Sequence, residues 1–227
     1  DPIARLRHRV AATSGLDTEL ADEVDAEGRR HADEGAWGVA AALYRSAARL
    51  TEEPLLREDR IIRSVDALLA AGDCVAAAPL IPAVESLRET ASRNATLAYM
   101  ALLRGRAAET NLRLDRAWGI VNTERDPGTA GVIAQRRELD ALLRCRGTEL
   151  VEWADTAISL AGAGTPTAVE AAAIRELGVA WSGRPQEAMA AYRDLTDTIR
   201  YGAQAQRATM GRGWLDDAAF TLGTELS

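Results

Sequence analysis

The chain has 227 residues, 47% hydrophobic and 27% charged, with a formal net charge of −7. That balance suits a folded chain with a sizeable core, argues against a disordered chain or a membrane protein, and makes direct binding to nucleic acid or anionic lipid unexpected. Every basic residue is Arg, which removes the lysine of a Walker A loop and Schiff-base chemistry, while Ala dominates and Phe occurs once, the composition of helices.

The start, Asp1-Pro2-Ile3, has no Met and no cationic-then-apolar signal pattern, and reads as the beginning of a mature or excised fragment. Asp1-Pro2 supplies an N-cap and an N1 proline for a helix to about Ala12, and Asp17 caps the next, to about Ala32. Gly35 separates that helix from AWGVAAALYRSAARL, whose apolar residues recur at helical spacing. Further breaks are expected at Glu53-Pro54, Gly72-Asp73, Ala91-Ser92, Asn111, Asp126-Pro127-Gly128, Gly147-Thr148, Gly162 to Pro166, Gly183-Arg184-Pro185 and Gly202. Between Val75 and Leu87, Pro79 and Pro82 must kink or unwind the helix. Gly211 and Gly213 favour a break in the last segment. No window is long and apolar enough to span a membrane.

Pairing the helices exposes a period. Ala40, Ala77, Ala117, Ala154 and Ala188 follow one another at 37, 40, 37 and 34 residues. Tyr44, Ile81, Val121, Ile158 and Tyr192 stand one turn further on, and Trp37, Cys74, Leu114, Val151 and Pro185 three residues before. A small residue lets two helices approach, and the larger one fills the groove beside the crossing. Such a period indicates stacked helical hairpins, each covering the apolar face of the one before.

The segment from Gly35 to Ala47 resembles the second helix of a tetratricopeptide repeat, and Gly183-Arg184-Pro185-Gln186-Glu187-Ala188 with Tyr192 resembles the same motif. Gly28 and Gly105 match the small position of the first helix, where Val65, Leu142 and Glu176 stand in the other units. The resemblance implies an all-α, right-handed α-solenoid of about five degenerate hairpins plus a terminal helix. It is read as a single helical-repeat domain over 1–227, with hairpins at 17–51, 55–90, 93–125, 129–162 and 167–201 and a terminal helical segment at 203–225. The run from Ala40 to Ile81 further resembles the middle region of large actinobacterial LuxR-family regulators of the MalT-like, ATP-binding group. That likeness implies a sensor or coupling segment, with nucleotide-binding and helix-turn-helix DNA-binding domains flanking it in a longer chain.

Residues for catalysis or metal binding do not assemble in the sequence. There is no HExxH, no CxxC and no calcium loop, and His8 and His31 read as surface or inter-helix residues. Cys74 and Cys145 read as buried reduced thiols, which suits the cytoplasm. The pairs Glu52-Glu53 and Asp216-Asp217 read as helix-terminal or solvated charges. Trp37, Trp118, Trp153 and Trp214 fall on apolar faces and read as core, whereas Trp181 fits core or groove equally.

With the Ala positions as register, the concave face takes in Asp59, Arg63, Asp66, Tyr99, Arg106, Arg136, Asp140 and Trp181. Arg, Asp and aromatic side chains suit a peptide or a small polar ligand such as a sugar. Solvated charges in i,i+4 pairs are the alternative for each. No catalytic residue, metal or cofactor is expected; the partner is a protein or a small effector. The functional expectation is a non-catalytic sensor of a LuxR-family-like regulator, and the alternative is a free-standing tetratricopeptide-like scaffold.

Overall fold

The computed structural model describes residues 2–201, and all its regular elements there are helical. The expected break at Gly202, the segment 203–225, Trp214 and Asp216-Asp217 lie outside the described residues. The chain divides into two compact units, the first ending at Arg88 and the second beginning at Glu89.

The first unit holds α1 (Pro2–Ala12), α2 (Thr18–Asp33), α3 (Trp37–Leu50) and α4 (Pro54–Ala70). It closes with a short α5 (Cys74–Ala77), a 3-10 turn over Ala78–Leu80 and α6 (Ile81–Ser86). The interrupted run over Cys74–Ser86 is the unwinding that Pro79 and Pro82 require, since neither can donate a backbone hydrogen bond. The second unit holds α7 (Ala91–Leu103), α8 (Ala107–Ile120), α9 (Pro127–Leu143), α10 (Gly147–Ala161), α11 (Pro166–Trp181) and α12 (Pro185–Tyr201).

Side-chain caps start all five first helices of the hairpins. Asp17 accepts from the Leu20 N–H, Glu53 from Leu55 and Leu56, Thr90 from Arg93, Asp126 from Thr129 and Thr165 from Ala168. Each cap contributes about 1 kcal/mol by satisfying amides that the helix leaves unpaired.

The first helices also end alike. Gly35, Gly72, Gly105, Cys145 and Gly183 all have positive φ. Each donates its N–H to the carbonyl three residues back, and the next residue donates to the carbonyl five back, as in Ala36 to His31 and Arg106 to Ala101. This is the Schellman closure, for which glycine is favoured because it carries no Cβ. It returns the chain at once into the second helix, so one local motif builds five hairpins.

The closure corrects two sequence expectations. Gly105 is not a small residue within a first helix: it has φ +70° in the turn between α7 and α8. The expected break at Asn111 does not exist, because α8 runs through it from Ala107 to Ile120. The break expected at Ala91-Ser92 lies just ahead of that pair, where Leu87 to Thr90 separate α6 from α7 and Thr90 caps the new helix.

The five register alanines, Ala40, Ala77, Ala117, Ala154 and Ala188, are all fully buried, as the period predicts. In the first unit α2 packs on α3 around Leu20, Val24, Leu43 and Leu50, and α3 packs on α4 around Ala41, Tyr44 and Ala67. In the second unit each helix packs on the next, and first helices also touch first helices, α7 on α9 and α9 on α11. That is how each hairpin covers its neighbour's apolar face. Glycines mark the tightest approaches: a Cβ on Gly28 would lie 2.8 Å from the Tyr44 ring, and one on Gly178 would lie 2.7 Å from Leu150.

Candidate functional site

The proposed inner-face residues of the first unit lie on α4. Arg63 forms ion pairs with Asp25 at 2.8 Å and Asp59 at 2.7 Å, and its guanidinium carbon sits 5.0 Å from the centroid of Tyr44. Burial pulls the Arg63 pKa down, but Asp59 and Asp25 outweigh it and leave the group raised. Burial also pushes the Tyr44 hydroxyl up to about 12. Beside them Arg60, almost wholly buried, donates to Thr51 Oγ1 and Asp22, each at 2.5 Å. Asp25 is itself buried and lies within 3.5 Å of Arg60 and 2.9 Å of Arg29. Arg63 and Asp59 are thus held in an internal network joining α2, α3 and α4. Asp66 is half-buried on α4.

In the second unit Tyr99 and Arg136 are both buried, and the guanidinium of Arg136 stacks 5.0 Å from the Tyr99 ring centroid, joining α7 to α9. Asp140, one turn along α9, accepts from Arg144 at 3.0 Å. Arg106 is not on a first helix: it is the exposed residue that opens α8, and it pairs with Glu109. Trp181 is the last residue of α11 and 38% exposed. Asp59 therefore meets Arg63, and Tyr99 meets Arg136, while Arg106 and Trp181 lie at hairpin turns.

A groove of about 460 Å³ opens between α8 and α10, lined by Trp118, Thr123, Asp155, Thr156, Ser159 and Leu160. Its position follows from packing. Trp118 of α8 and Trp153 of α10 meet edge to face, with ring centroids 5.3 Å apart, and so join the two helices at that level. Arg137 from α9 stacks 4.8 Å from the Trp153 ring centroid and pairs with Asp115 on α8 at 2.8 Å. Arg175 from α11 donates to Asp155 at 2.6 Å, and that hydrogen bond is the main cause of its raised pKa. The carboxylate is thereby fixed at the rim. Aromatic and aliphatic walls with two hydroxyl-bearing side chains on one helix and a positioned carboxylate suit a polar organic ligand or a peptide side chain.

Thr123, Asp155, Thr156, Ser159 and Leu160 are not among the residues that the repeat register singles out. Trp37, Trp118 and Trp153 pack against the core clusters as expected, but each is only partly buried, and Trp118 also faces the groove. The one available signal was the spacing of Asp155, Thr156 and Ser159 along α10 beside an aromatic pair.

Behind the groove, Glu138 on α9 is fully buried and neither carboxylate oxygen has a hydrogen-bond partner. Burial, with Glu170 and Asp155 adding repulsion, raises its pKa well above the usual carboxylate range. The buried neutral form is the one this site favours.

The thiols depart from expectation: Cys145 is exposed and Cys74 half-buried, because both stand at turns and not on packed faces. His31 is buried on α2, beside Glu27 of the same helix and Glu34 at its C-terminal cap. Among the described residues no group of three His, Cys, Asp or Glu is placed to hold a metal, and no helix is long and apolar enough to cross a membrane. Comparison with protein-family models, curated proteins and solved structures finds no match.

Proposed function

We propose that this chain is a non-catalytic binding module that takes up a protein segment or small effector, and that it serves as the sensor or coupling region of a LuxR-family-like transcriptional regulator. The observation that carries the reading is the groove between α8 and α10, with its positioned carboxylate, its hydroxyls and the Trp118 wall. Hairpin repetition supports it, since within the second unit each helix packs on the next and a small shift in one bears on its neighbour. A ligand spanning α8 and α10 favours one packing of those helices and so shifts the equilibrium that flanking nucleotide-binding and DNA-binding domains respond to. Such a regulator works in the cytoplasm.

A thermal-shift screen with sugars, nucleotides and peptides tests the binding step. Ligand at about a hundred times its Kd adds roughly 2.7 kcal/mol of stability. Ser159→Arg, which fills the groove from an exposed position, abolishes that shift. The coupling step is tested in the parent gene. A nucleotide-binding module upstream and a helix-turn-helix downstream are expected; their absence would leave the free-standing scaffold.

A further inference from the structure

The three hairpin turns of the second unit share more than backbone geometry. Leu103, Leu143 and Trp181 each end a first helix, and each is left 39%, 57% and 38% exposed, respectively. Just beyond them the segments Leu103-Arg104-Gly105-Arg106 and Leu143-Arg144-Cys145-Arg146 repeat the same pattern, and Arg184 holds the last Arg position in the third turn. Arg104, Arg106, Arg146 and Arg184 are exposed, and Arg104 forms no ion pair among the described residues. The turns adjoin one another. Arg144 donates to the carbonyl of Ala107 in the turn before, and a Cβ on Gly147 would lie 3.1 Å from the Cβ of Trp181 in the turn after.

The first unit makes the same closure with Asp33 and Ala70 where these apolar residues stand. Turn geometry alone therefore does not call for an exposed Leu or Trp. Exposed large apolar residues rimmed by polar ones mark an interaction surface, and here Leu103, Leu143 and Trp181 stand among four exposed Arg, of which Arg106, Arg146 and Arg184 each pair with a Glu three residues on.

We propose that this edge docks a partner protein segment in which carboxylates alternate with apolar side chains. Leu103, Leu143 and Trp181 cover the apolar groups, and the interleaved guanidiniums take the carboxylates as charge-assisted, two-pronged donors. Glu109, Glu149 and Glu187 each follow an Arg by three residues and pair with Arg106, Arg146 and Arg184. The field along the edge thus alternates in sign. That arrangement suits separated carboxylates and repels the unbroken negative charge of RNA or an anionic bilayer. The inference rests on reading the chain as a binding module, but uses a surface distinct from the groove.

The test is selection of random twelve-residue peptides, displayed on phage, against the full chain. Enriched sequences are expected to interleave Asp or Glu with Leu, Phe or Trp. A labelled peptide from that selection should lose at least about tenfold in affinity on Leu143→Ser with Trp181→Ser, and on Arg146→Glu, the scale of a removed hot spot. Ser159→Arg in the groove should leave its affinity unchanged. Circular dichroism of each variant checks that the fold is kept, which the exposure of all these positions favours. Enrichment of neutral or basic peptides, or affinity indifferent to the edge substitutions, overturns the proposal. Loss on Ser159→Arg alone also overturns it while leaving the binding-module reading intact. Binding of single-stranded RNA or phosphatidylserine vesicles that the peptide cannot displace, through the same residues, assigns the edge to another class of partner. No enriched peptide together with no hit in the thermal-shift screen removes both readings.

Discussion

Gly28 lies against the ring of Tyr44, so close that a Cβ there would come within 2.8 Å of the ring. The contact joins α2 to α3, and Arg63, stacked on the same Tyr44, ties in α4. A ring held from a second element does not retreat freely. Gly28→Val is therefore expected to destabilise the first unit by about 1–3 kcal/mol through overpacking. A lowered urea midpoint with unchanged slope is the expected signature; an unchanged midpoint contradicts the contact.

Cys145 occupies the turn position that glycine fills in the other four hairpins, with φ +54°. A side chain there costs about 1–2 kcal/mol in local sterics, and the exposed thiol makes no compensating core contact. Cys145→Gly relieves that cost but loosens the unfolded chain, for a net gain of about 0.5–1 kcal/mol. A lower melting temperature in the variant would contradict the shared turn geometry.

Glu138 sets a pH dependence. Its folded-state pKa lies above the unfolded value, so its contribution to stability is fully present below about pH 4.3 and is lost as pH rises through the folded value. Glu138→Gln keeps the shape and removes the titration. Parent and variant should differ little near pH 4. Above that the parent should fall behind by about 1.4 kcal/mol per pH unit until the folded-state pKa is reached. Urea titrations at pH 4.5 and pH 8 check this, and a difference that does not grow with pH contradicts it.

Arg60 is the largest fully buried side chain of the first unit and neutralises Asp22 and the buried Asp25. Arg60→Met removes one partner of a buried charge network, although Arg29 and Arg63 remain beside Asp25. The expected loss is about 3 kcal/mol, and Asp25→Asn in the same background should recover part of it. Additive losses in the two variants would show that the residues are not coupled.

Much of the fold was legible because hairpin packing writes itself into spacing. The five alanines identified by period alone are the residues at which helices meet, and Asp17, Pro54, Asp126 and Pro166 mark helix starts by their own chemistry. The errors have a local cause. In ALLRGRAAETN the residues on both sides of Gly105 are helix formers, so the glycine reads as internal and Asn111 as the break. At Cys145 the turn has no glycine at all, and the break was placed two residues late, at Gly147. The R-x-x-E echo at Arg106, Arg146 and Arg184 carried the correct register and lies in plain sequence.

The site was less legible than the fold. Tyr99 and Arg136 are expected on the concave face only as separate members of the set, and packing buries both and stacks one on the other. Trp118 and Ser159 stand 41 residues apart in the chain, and only the approach of α8 to α10 brings them to one groove.

The most direct test is calorimetric titration of the best hit from the thermal-shift screen into the parent chain and into Ser159→Arg. Saturable one-to-one binding to the parent, reduced at least about a hundredfold in the variant, is the expected result. Equal affinity in both proteins would mean that the space beside Trp118 holds nothing.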